Sequence, residues 1–471
     1  MNKILGFAAA GMIAAFVHSG AAVAQDQHEQ IVEAYGGEYD PDGLGVYVRG
    51  IVSRLEPHAD LRRPIQHVTV LNTPMVNAFA TPEGGVYVTR GIMALANSED
   101  ELAGVIGHEI GHVAERHGER RQTASIGAAL LGLGLQAAGV GDWGMLGYNV
   151  AANLGLSSYS RDQEADSDRL GVRYLHRAGY DPYALHDFFQ SMQLNEQLSQ
   201  RLSGTQSYLP AMEFFSTHPN TEGRMEDVHG LARNTGVAEG SIARHREDYL
   251  DRISGMLYGD NSNEGFVRGR SFVHPELRFT YEVPQDYTIQ NGTSQVAAFH
   301  QDGSTITFDM AQANNSAKYN LGNYLSNTWG PEMGAQIRNV QSFRINGVNA
   351  ASGRATITQN RQTRDLFVVA YEGDGNQIFR FMMVGPRDGR SASQRGWVDT
   401  MDSFRRLSAD EAAVQSPLSI GLVRVGRGDT VATMAARMAF DDFREDRFRT
   451  LNGLTANDTI HEGQLVKIVV D

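Results

Sequence analysis

The sequence predicts an α+β protein: a mainly helical unit with a small β-sheet, then an α+β unit with an antiparallel sheet, then a small strand–helix–helix–strand unit. Helical patterns flank a short cluster of strand-like runs in the first unit, strand-like runs dominate residues 265–408, and the last pattern fills residues 418–471. The polar, glycine-containing stretch Tyr258–Gly265 ends the first unit, which we place at residues 25–260.

Residues 1–24 have the features of a signal peptide. Lys3 precedes the apolar stretch Ile4–Val17, and Ala22-Val23-Ala24 is a small-residue cleavage site. An uncleaved membrane anchor is the alternative, but the apolar stretch is short for a bilayer span of about 20 residues. We therefore expect an exported, periplasmic protein that is cleaved near Ala24 and is either free or associated with an envelope membrane or the cell wall.

The composition excludes cysteine-based sites and argues against binding of nucleic acid. The chain has no cysteine, so it carries no disulfide, no lipid-modified cysteine and no cysteine-based metal or nucleophilic site. Its formal net charge is −14, and no basic stripe is available to meet phosphates, which argues against nucleic acid as a partner.

The first unit opens with a helical pattern over residues 25–64, followed by three predicted strands at His67–Leu71, Val76–Ala80 and Gly85–Thr89. A small sheet beside a catalytic helix can offer an edge strand to an extended peptide, whose backbone then pairs with it. The candidate substrate edge consists of Asn77, Ala78, Phe79 and Ala80. A purely structural hairpin is equally consistent with the pattern.

The segment His108-Glu109-Ile110-Gly111-His112 carries the most specific chemistry. Ser98 and Glu101 predict the start of a helix, and two histidines four residues apart on one helical face can hold a single metal ion. Neutral imidazoles suit Zn²⁺, and a catalytic zinc site has three protein ligands and one position open to water. Glu109, next to that position, is then the general base of a metalloprotease.

A third ligand is expected from a second helix, at Ser160–Val172. Glu164 and Asp168 stand four residues apart on one face of that helix. Glu164 would bind zinc, and Asp168 would accept a hydrogen bond from a ligand histidine and fix its orientation. Acidic residues on a helix are more often a solvated face, so this interpretation depends on the histidine motif.

Between the two helices lies the segment Ala124–Gly155, which is rich in Ala, Gly and Leu. Its glycines, Gln136 and Asp142 make it a weak transmembrane candidate. We expect a helical flap that covers the cleft or touches a membrane surface or a membrane-protein client. A buried hairpin is the alternative.

The second unit is predicted from six strands and two helices. The strands are Leu277–Val283, Gln295–Phe299, Thr305–Met310, Gly353–Ile357, Asp365–Tyr371 and Gln377–Val384, and the helices lie near Leu321–Leu325 and Ser393–Met401. The pattern is loosely similar to PsbP/Mog-like folds, a likeness of fold that implies no function. No catalytic constellation stands out, and a client-binding or spacer role is expected.

The last unit is predicted as a strand, a Gly428-Asp429-Thr430 cap that opens a helix, a second helix that ends at Asn452-Gly453, and a closing strand at Gly463–Val469. This pattern resembles a LysM module. The resemblance implies binding of N-acetylglucosamine polymers, which for an exported bacterial protein means peptidoglycan. The charged stretch Asp441–Arg449 departs from that pattern, so a LysM-like fold without glycan binding remains open.

Three separated segments of the first unit carry a second resemblance: His108–His117, Glu164–Asp168 and Ser216–Arg224. Together with Asn77–Ala80 and Gly85–Gly91, they resemble the HtpX/BepA-type zinc metallopeptidases over roughly residues 25–259. The resemblance implies a gluzincin endopeptidase with one Zn²⁺ per chain, held by His108, His112 and Glu164, and with Glu109 as the base.

His218 and Arg224 are also expected to belong to the site. His218 could donate a hydrogen bond to the oxyanion of the transition state, with Arg224 adding charge. His218 could instead occupy the fourth position on the zinc and leave the enzyme latent. The sequence leaves these two roles open.

The expected function is an exported zinc-dependent endopeptidase that hydrolyses misfolded or stalled envelope proteins, with Glu109 activating water at the zinc. The expected partners are such unfolded substrates, peptidoglycan through the last unit, and the outer-membrane assembly machinery. The alternative is a zinc-containing periplasmic chaperone or assembly scaffold with little proteolysis.

Overall fold

The computed structural model describes residues 20–118, 159–202, 214, 218, 223–292, 295–312, 320–359, 362–387 and 392–471. Residues 1–19 of the predicted signal peptide and the predicted flap Ala124–Gly155 lie outside the described residues. Within the described residues, the α+β class and the antiparallel sheets are confirmed.

The first unit places a three-stranded sheet among eight helices of the described residues. The helices are α1 Gly20–Ala34, α2 Leu44–Leu55, α3 Arg90–Leu95, α4 Glu99–Ala114, α5 Arg161–Ala178, α6 Ala184–Leu202, α7 Arg224–Arg233 and α8 Arg246–Ile253, with 3₁₀ turns at Pro41–Gly43 and Glu56–His58. The strands β1 His67–Leu71, β2 Ala78–Ala80 and β3 Gly85–Thr89 are arranged in the order β1-β3-β2. Strand β2 therefore forms one edge of this sheet.

Helix α4 lies at the centre of the first unit. All its residues from Glu99 to His112 are buried, so it is covered on every side rather than along one stripe. Its N-cap is Ser98, whose side chain accepts a hydrogen bond from the N–H of Glu101. The carboxylate of Glu101 reaches back to the N–H of Asn97, one residue before the position expected for a capping box.

The second unit contains one large and one small antiparallel sheet. Its strands are β4 Phe266–Arg268, β5 Ser271–His274, β6 Phe279–Glu282, β7 Thr288–Asn291, β8 Val296–Phe299, β9 Thr305–Gln312, β10 Arg338–Ile345, β11 Val348–Gln359, β12 Gln362–Glu372, β13 Gln377–Pro386 and β14 Arg405–Arg406. The sheets have the orders β10-β11-β12-β13-β9-β8-β7 and β14-β6-β5-β4. All six predicted strands are present, but β4, β5, β7, β10 and β14 were not predicted.

Helices cover both faces of the large sheet. On one face lie α9 Leu321–Tyr324, a π-helical turn Leu325–Trp329 and α10 Gly330–Glu332, and on the other lies α11 Ala392–Ser403. Helix α12 Ala409–Ala413 leads to the last unit. Both predicted helices of this unit are therefore confirmed.

The last unit has the predicted order of elements: β15 Ser419–Arg424, α13 Val431–Ala435, α14 Arg444–Leu451 and β16 Leu465–Val470. Its two strands pair antiparallel, and its apolar residues belong to the same core as those of the first unit. The last unit is thus packed onto the first unit. None of the helices in the described ranges combines the length and the apolar character needed for a bilayer span.

Candidate active site

The motif helix α4 and helix α5 bring the predicted metal ligands together because small residues let the two helices approach closely. A Cβ placed on Gly111 would lie 3.2 Å from the Cα of Ser167, and one on Gly171 would lie 3.1 Å from the backbone N of His108. A side chain at either position would force its neighbours on the facing helix to shift. The close contact sets Glu164 and Asp168 opposite His108 and His112.

Four buried side chains, those of His108, His112, Glu164 and His218, form a group of potential metal ligands. Their ligand atoms all lie within 4.8 Å of one another. The two Nε2 atoms of His108 and His112 are 3.0 Å apart, and Oε1 of Glu164 lies 3.3 Å from Nε2 of His112. Nδ1 of His218 is 3.3 Å from Nε2 of His108 and 3.0 Å from Oε1 of Glu164.

The donor set fits zinc in kind and in spacing. Four ligands placed tetrahedrally at about 2.0–2.1 Å from zinc lie about 3.3 Å from one another. Contacts of 3.0–3.6 Å between these side chains are close to that value, and all the ligand atoms lie within 4.8 Å of one another. Three imidazoles and one carboxylate, buried together, are also the ligand types that zinc prefers.

The pKa shifts of His112 and Glu164 suit metal binding, whereas burial lowers the pKa of His108 but the hydrogen bond and charge of Asp168 outweigh it and raise that pKa. Burial lowers the pKa of His112 well below its usual range, so its ring stays neutral and keeps a lone pair at neutral pH. Burial opposes ionisation of Glu164, but hydrogen bonds from His112 and His218 outweigh it and lower the pKa of this carboxyl. A neutral histidine and an ionised glutamate are the forms that bind a metal cation.

Glu109 lies next to the donor set and outside it. Its Oε1 is 3.4 Å from Nε2 of His218, and its side chain is buried. Burial raises the pKa of the Glu109 carboxyl, an effect that the neighbouring His218 and His108 oppose. A carboxylate with a raised pKa, beside a group of metal ligands, is placed to take and return a proton.

Asp168 and Arg224 contact the potential metal ligands without belonging to the donor set. Oδ1 of Asp168 lies 2.9 Å from Nδ1 of His108, and this ion-pair contact orients the ring so that its Nε2 faces the donor set. Arg224 contacts both carboxylates of α5, with Nη1 2.7 Å from Oε2 of Glu164 and Nε 2.7 Å from Oδ2 of Asp168. Its guanidinium is thus paired with groups that hold the ligands.

Two further residues of the site were missed by the sequence analysis. His117, just beyond α4, has its Nδ1 2.9 Å from Nδ1 of His112 and so orients that ring. Tyr159 stacks on the His112 ring, with the ring centroids 3.8 Å apart. His117 lies five residues after His112, which is a signal the sequence offered, whereas nothing in the sequence pointed to Tyr159.

The predicted substrate edge lies beside the motif helix. Strand β2 is at the edge of its sheet and pairs with β3, and Asn77–Ala80 are all buried. The carbonyl of Val76 accepts a hydrogen bond from the N–H of Phe214, whose ring stacks on His218. Phe214 therefore links His218 to Val76, the residue just before the predicted substrate edge.

We expect Asp168→Asn to weaken zinc binding by about 10–100-fold, since it removes the carboxylate that orients His108 and pairs with Arg224. Titration of the metal-free protein with Zn²⁺ against a competing chelator measures this change. Asp166→Asn is the matched control, because Asp166 lies on the same helix but is exposed and pairs with Arg169. Equal zinc affinity of the two variants would contradict the orienting role.

Two helix-borne histidines, a carboxylate from a second helix and a neighbouring glutamate define a metallopeptidase-type site. Residues 46–232 match the model of Peptidase family M48, so this part of the chain is similar to the peptidases of that family.

Two curated relatives agree with this assignment. The β-barrel assembly-enhancing protease of Yersinia pestis is 30% identical over 240 residues, which cover 48% of this chain and 46% of that protein. The mitochondrial metalloendopeptidase OMA1 of Schizosaccharomyces pombe is 28% identical over 240 residues, which cover 50% of this chain and 66% of that protein. The chain thus spans about half to two thirds of the length of these relatives.

Among solved structures, the cyanobacterial PsbP of Synechocystis matches 29% of this chain and 91% of its own, with 8% identity and a TM-score of 0.24. A TM-score this low does not establish a shared fold. The PsbP-like interpretation of the second unit therefore stays a prediction.

Proposed function

We propose that the chain is an exported zinc-dependent endopeptidase that hydrolyses peptide bonds of misfolded or stalled envelope proteins. The observation that carries the proposal is the buried group of three imidazoles and one carboxylate with Glu109 beside it. A zinc ion held by His108, His112 and Glu164 would supply Lewis-acid polarisation of water and of the scissile carbonyl.

The residues of the chain supply the proton transfers. The Glu109 carboxylate accepts the proton of the attacking water and then delivers it to the nitrogen of the leaving amine, which it can do because burial keeps its pKa raised. Asp168 holds the His108 ring in place throughout. The pairing of Arg224 with Glu164 and Asp168 favours a positioning role for Arg224 over direct contact with the oxyanion.

For His218 we propose that Nδ1 occupies the fourth ligand position in the conformation described here. This atom lies as close to the donors of His108 and Glu164 as those donors lie to their neighbours. A zinc site with four protein ligands is closed to water. Hydrolysis then requires that His218 leave this position.

We expect His218→Ala to increase cleavage of an unfolded peptide, by about tenfold if the open form is about a tenth of the wild-type population. Zinc should remain bound through the other three ligands, with lower affinity. The cleavage rate and the zinc content are measured together. His229→Ala serves as the control, since His229 lies on α7 and its ring packs against Tyr183 and His186 instead. A rate below that of the wild type would instead favour His218 as a transition-state donor.

For the substrate we propose that an extended peptide pairs with the edge strand at Asn77–Ala80, because β2 lies at the sheet edge and contacts α4. The edge is buried in this conformation and the N–H of Phe214 is bonded to the carbonyl of Val76, so Phe214 must move for a peptide to bind there. Opening the metal site and freeing the edge strand would then be one movement.

The name of the Yersinia relative supports a role near β-barrel assembly, and we propose the periplasm as the location and a component of outer-membrane assembly as a partner. Binding of peptidoglycan by residues 418–471 is proposed from the LysM-like order of elements and the exposed loops around Gly428 and Glu462. Co-sedimentation of the intact chain with purified peptidoglycan distinguishes a glycan-binding unit from a purely structural one.

A further inference from the structure

Lys467, one of the three lysines of the chain, is fully buried in strand β16 of the last unit. Its Nζ donates to backbone carbonyls of the first unit, at 2.6 Å from the O of Ala94, 2.7 Å from the O of Ala96 and 3.3 Å from the O of Leu95. A lysine in an otherwise apolar strand is unusual, because burial of an ammonium group is costly unless its N–H groups are paired. The three carbonyls supply that pairing.

The carbonyls bound by Lys467 lie at the corner between α3 and α4. The last carbonyls of a helix have no partner within that helix and need donors from outside. Ala94 and Leu95 are the last two residues of α3, and α4 begins four residues later at Glu99, after its N-cap Ser98. Lys467 therefore donates hydrogen bonds to the last carbonyls of α3, shortly before α4 begins.

Donors that follow in the chain satisfy the carbonyls on either side. The hydroxyl of Tyr249 donates to the O of Met93 at 2.6 Å, and Nη1 of Arg246 donates to the O of Asn97 at 2.7 Å. Arg246 also reaches the O of Leu465 in β16, with Nη2 at 3.5 Å. The consecutive carbonyls from Met93 to Asn97 thus all accept hydrogen bonds from side chains. The donors lie on α8, on β16 and, for the carbonyl of Leu95, also on Asn97 in the corner itself.

The second contact between the last unit and the corner is a close backbone approach. Gly453 has a φ of +65°, and a Cβ placed on it would lie 3.0 Å from Nδ2 of Asn97 and 3.0 Å from Oγ of Ser191. The Nε2 of Gln190 donates to the carbonyl of Gly453 at 3.3 Å. A larger residue at this turn would push the last unit away from the corner.

A displacement of the corner would also displace His108 and His112, because α4 is one continuous helix. His108 lies ten residues after Ser98, about 15 Å along the helix axis. Metal ligands and catalytic groups tolerate errors of only about 0.5 Å in position. The orientation of α4 at its start therefore determines whether His108, Glu109 and His112 meet the residues of α5.

We propose that Lys467 is a positioning residue for the metal-binding helix and that the last unit is a built-in clamp on the α3–α4 corner. The catalytic part of this inference rests on the proposed peptidase function, whereas its structural part concerns metal binding and helix order. The last unit then has a task in the metal site whether or not it also binds glycan.

The clamp works in either protonation state of Lys467. Burial lowers the pKa of this amine well below its usual range, and the nearby Arg246 acts in the same direction while Glu101 opposes it. A neutral amine still has two N–H groups, which is enough for the two short bonds to Ala94 and Ala96. The contact is therefore kept without a net charge.

Lys467→Met tests the inference, since methionine keeps most of the side-chain volume and removes the donors. Val469→Ala is the matched control, because it removes buried volume from the same strand but no hydrogen-bond donor to the corner carbonyls. Zn²⁺ affinity of the metal-free protein, amide hydrogen exchange at residues 94–102, and kcat and KM on an unfolded peptide are measured for each full-length variant.

We expect Lys467→Met to weaken Zn²⁺ binding by about tenfold, to speed exchange at residues 94–102, and to lower kcat with KM unchanged. Val469→Ala should leave all three near the wild-type values at a similar loss of thermal stability. If both variants behave alike, Lys467 only stabilises the fold and the proposal is overturned. If the methionine variant does not fold, Lys467→Gln, which retains an amide N–H₂, should give the same direction with a smaller change.

Failure of the proposed function has a different signature. A wild-type protein that cleaves no peptide, but whose Zn²⁺ affinity and exchange rates respond to Lys467→Met and not to Val469→Ala, would refute the peptidase and retain the clamp. If the wild type cleaves peptide but the two variants behave alike, the clamp is refuted and the peptidase is retained.

Discussion

Replacing Glu109 with glutamine is expected to lower the rate of peptide hydrolysis by about 10²–10⁴-fold, the usual contribution of a general base. Glutamine has the size of glutamate and leaves no cavity, but it cannot accept the proton of the attacking water. Glu109 lies outside the group of metal ligands, so zinc content and thermal stability should stay as in the wild type. Cleavage of an unfolded protein, followed together with metal analysis, measures the effect.

Glu115→Gln is a suitable control for this substitution. Glu115 caps the C-terminal end of the same helix and is only partly buried, so losing its charge should leave hydrolysis unchanged. Undiminished hydrolysis in the Glu109 variant would remove Glu109 from the mechanism. A wild-type protein without activity on any unfolded substrate would favour the alternative of a zinc-containing assembly scaffold.

Removing the metal is expected to have the second large effect, a loss of all measurable hydrolysis together with a loss of stability. Without a cation, the imidazoles and the carboxylate of the donor set stay buried against one another, 3.0–3.6 Å apart. Bound zinc stabilises the folded state by about 4 kcal/mol when its free concentration is 1,000 times Kd. Thermal unfolding and cleavage before and after dialysis against a chelator measure both effects.

Readdition of metal identifies the ion. Zn²⁺ should restore cleavage and stability, and Mg²⁺ should not, because Mg²⁺ prefers oxygen ligands and this site offers three imidazoles. Full activity of metal-free protein would contradict a role of the metal in the reaction.

The group of potential metal ligands could be predicted from the sequence because its geometry is largely local. His108 and His112 share a helical face by spacing alone, and so do Glu164 and Asp168. Only the meeting of the two helices requires tertiary structure, and the glycines at 111 and 171 permit it. The same locality explains why strands with long apolar runs, such as β12 and β13, were found.

Other features depend on contacts between distant parts of the chain. The partners of Arg224 are 56 to 60 residues earlier, and those of Lys467 are more than 370 residues earlier. No spacing rule connects such residues, although a single lysine in an apolar strand is a signal that something must receive it. Strand β10 was missed because most of its residues are polar and exposed, so its alternation is weak.

The most direct test of the central claim is the position of the metal, measured by anomalous X-ray scattering at the zinc absorption edge from crystals of the purified protein. A single anomalous peak is expected about 2.0–2.1 Å from Nε2 of His108, Nε2 of His112 and a carboxylate oxygen of Glu164. The His218 ring should complete the ligand set in the closed form. A protein without zinc, or zinc bound away from these three side chains, would contradict the account.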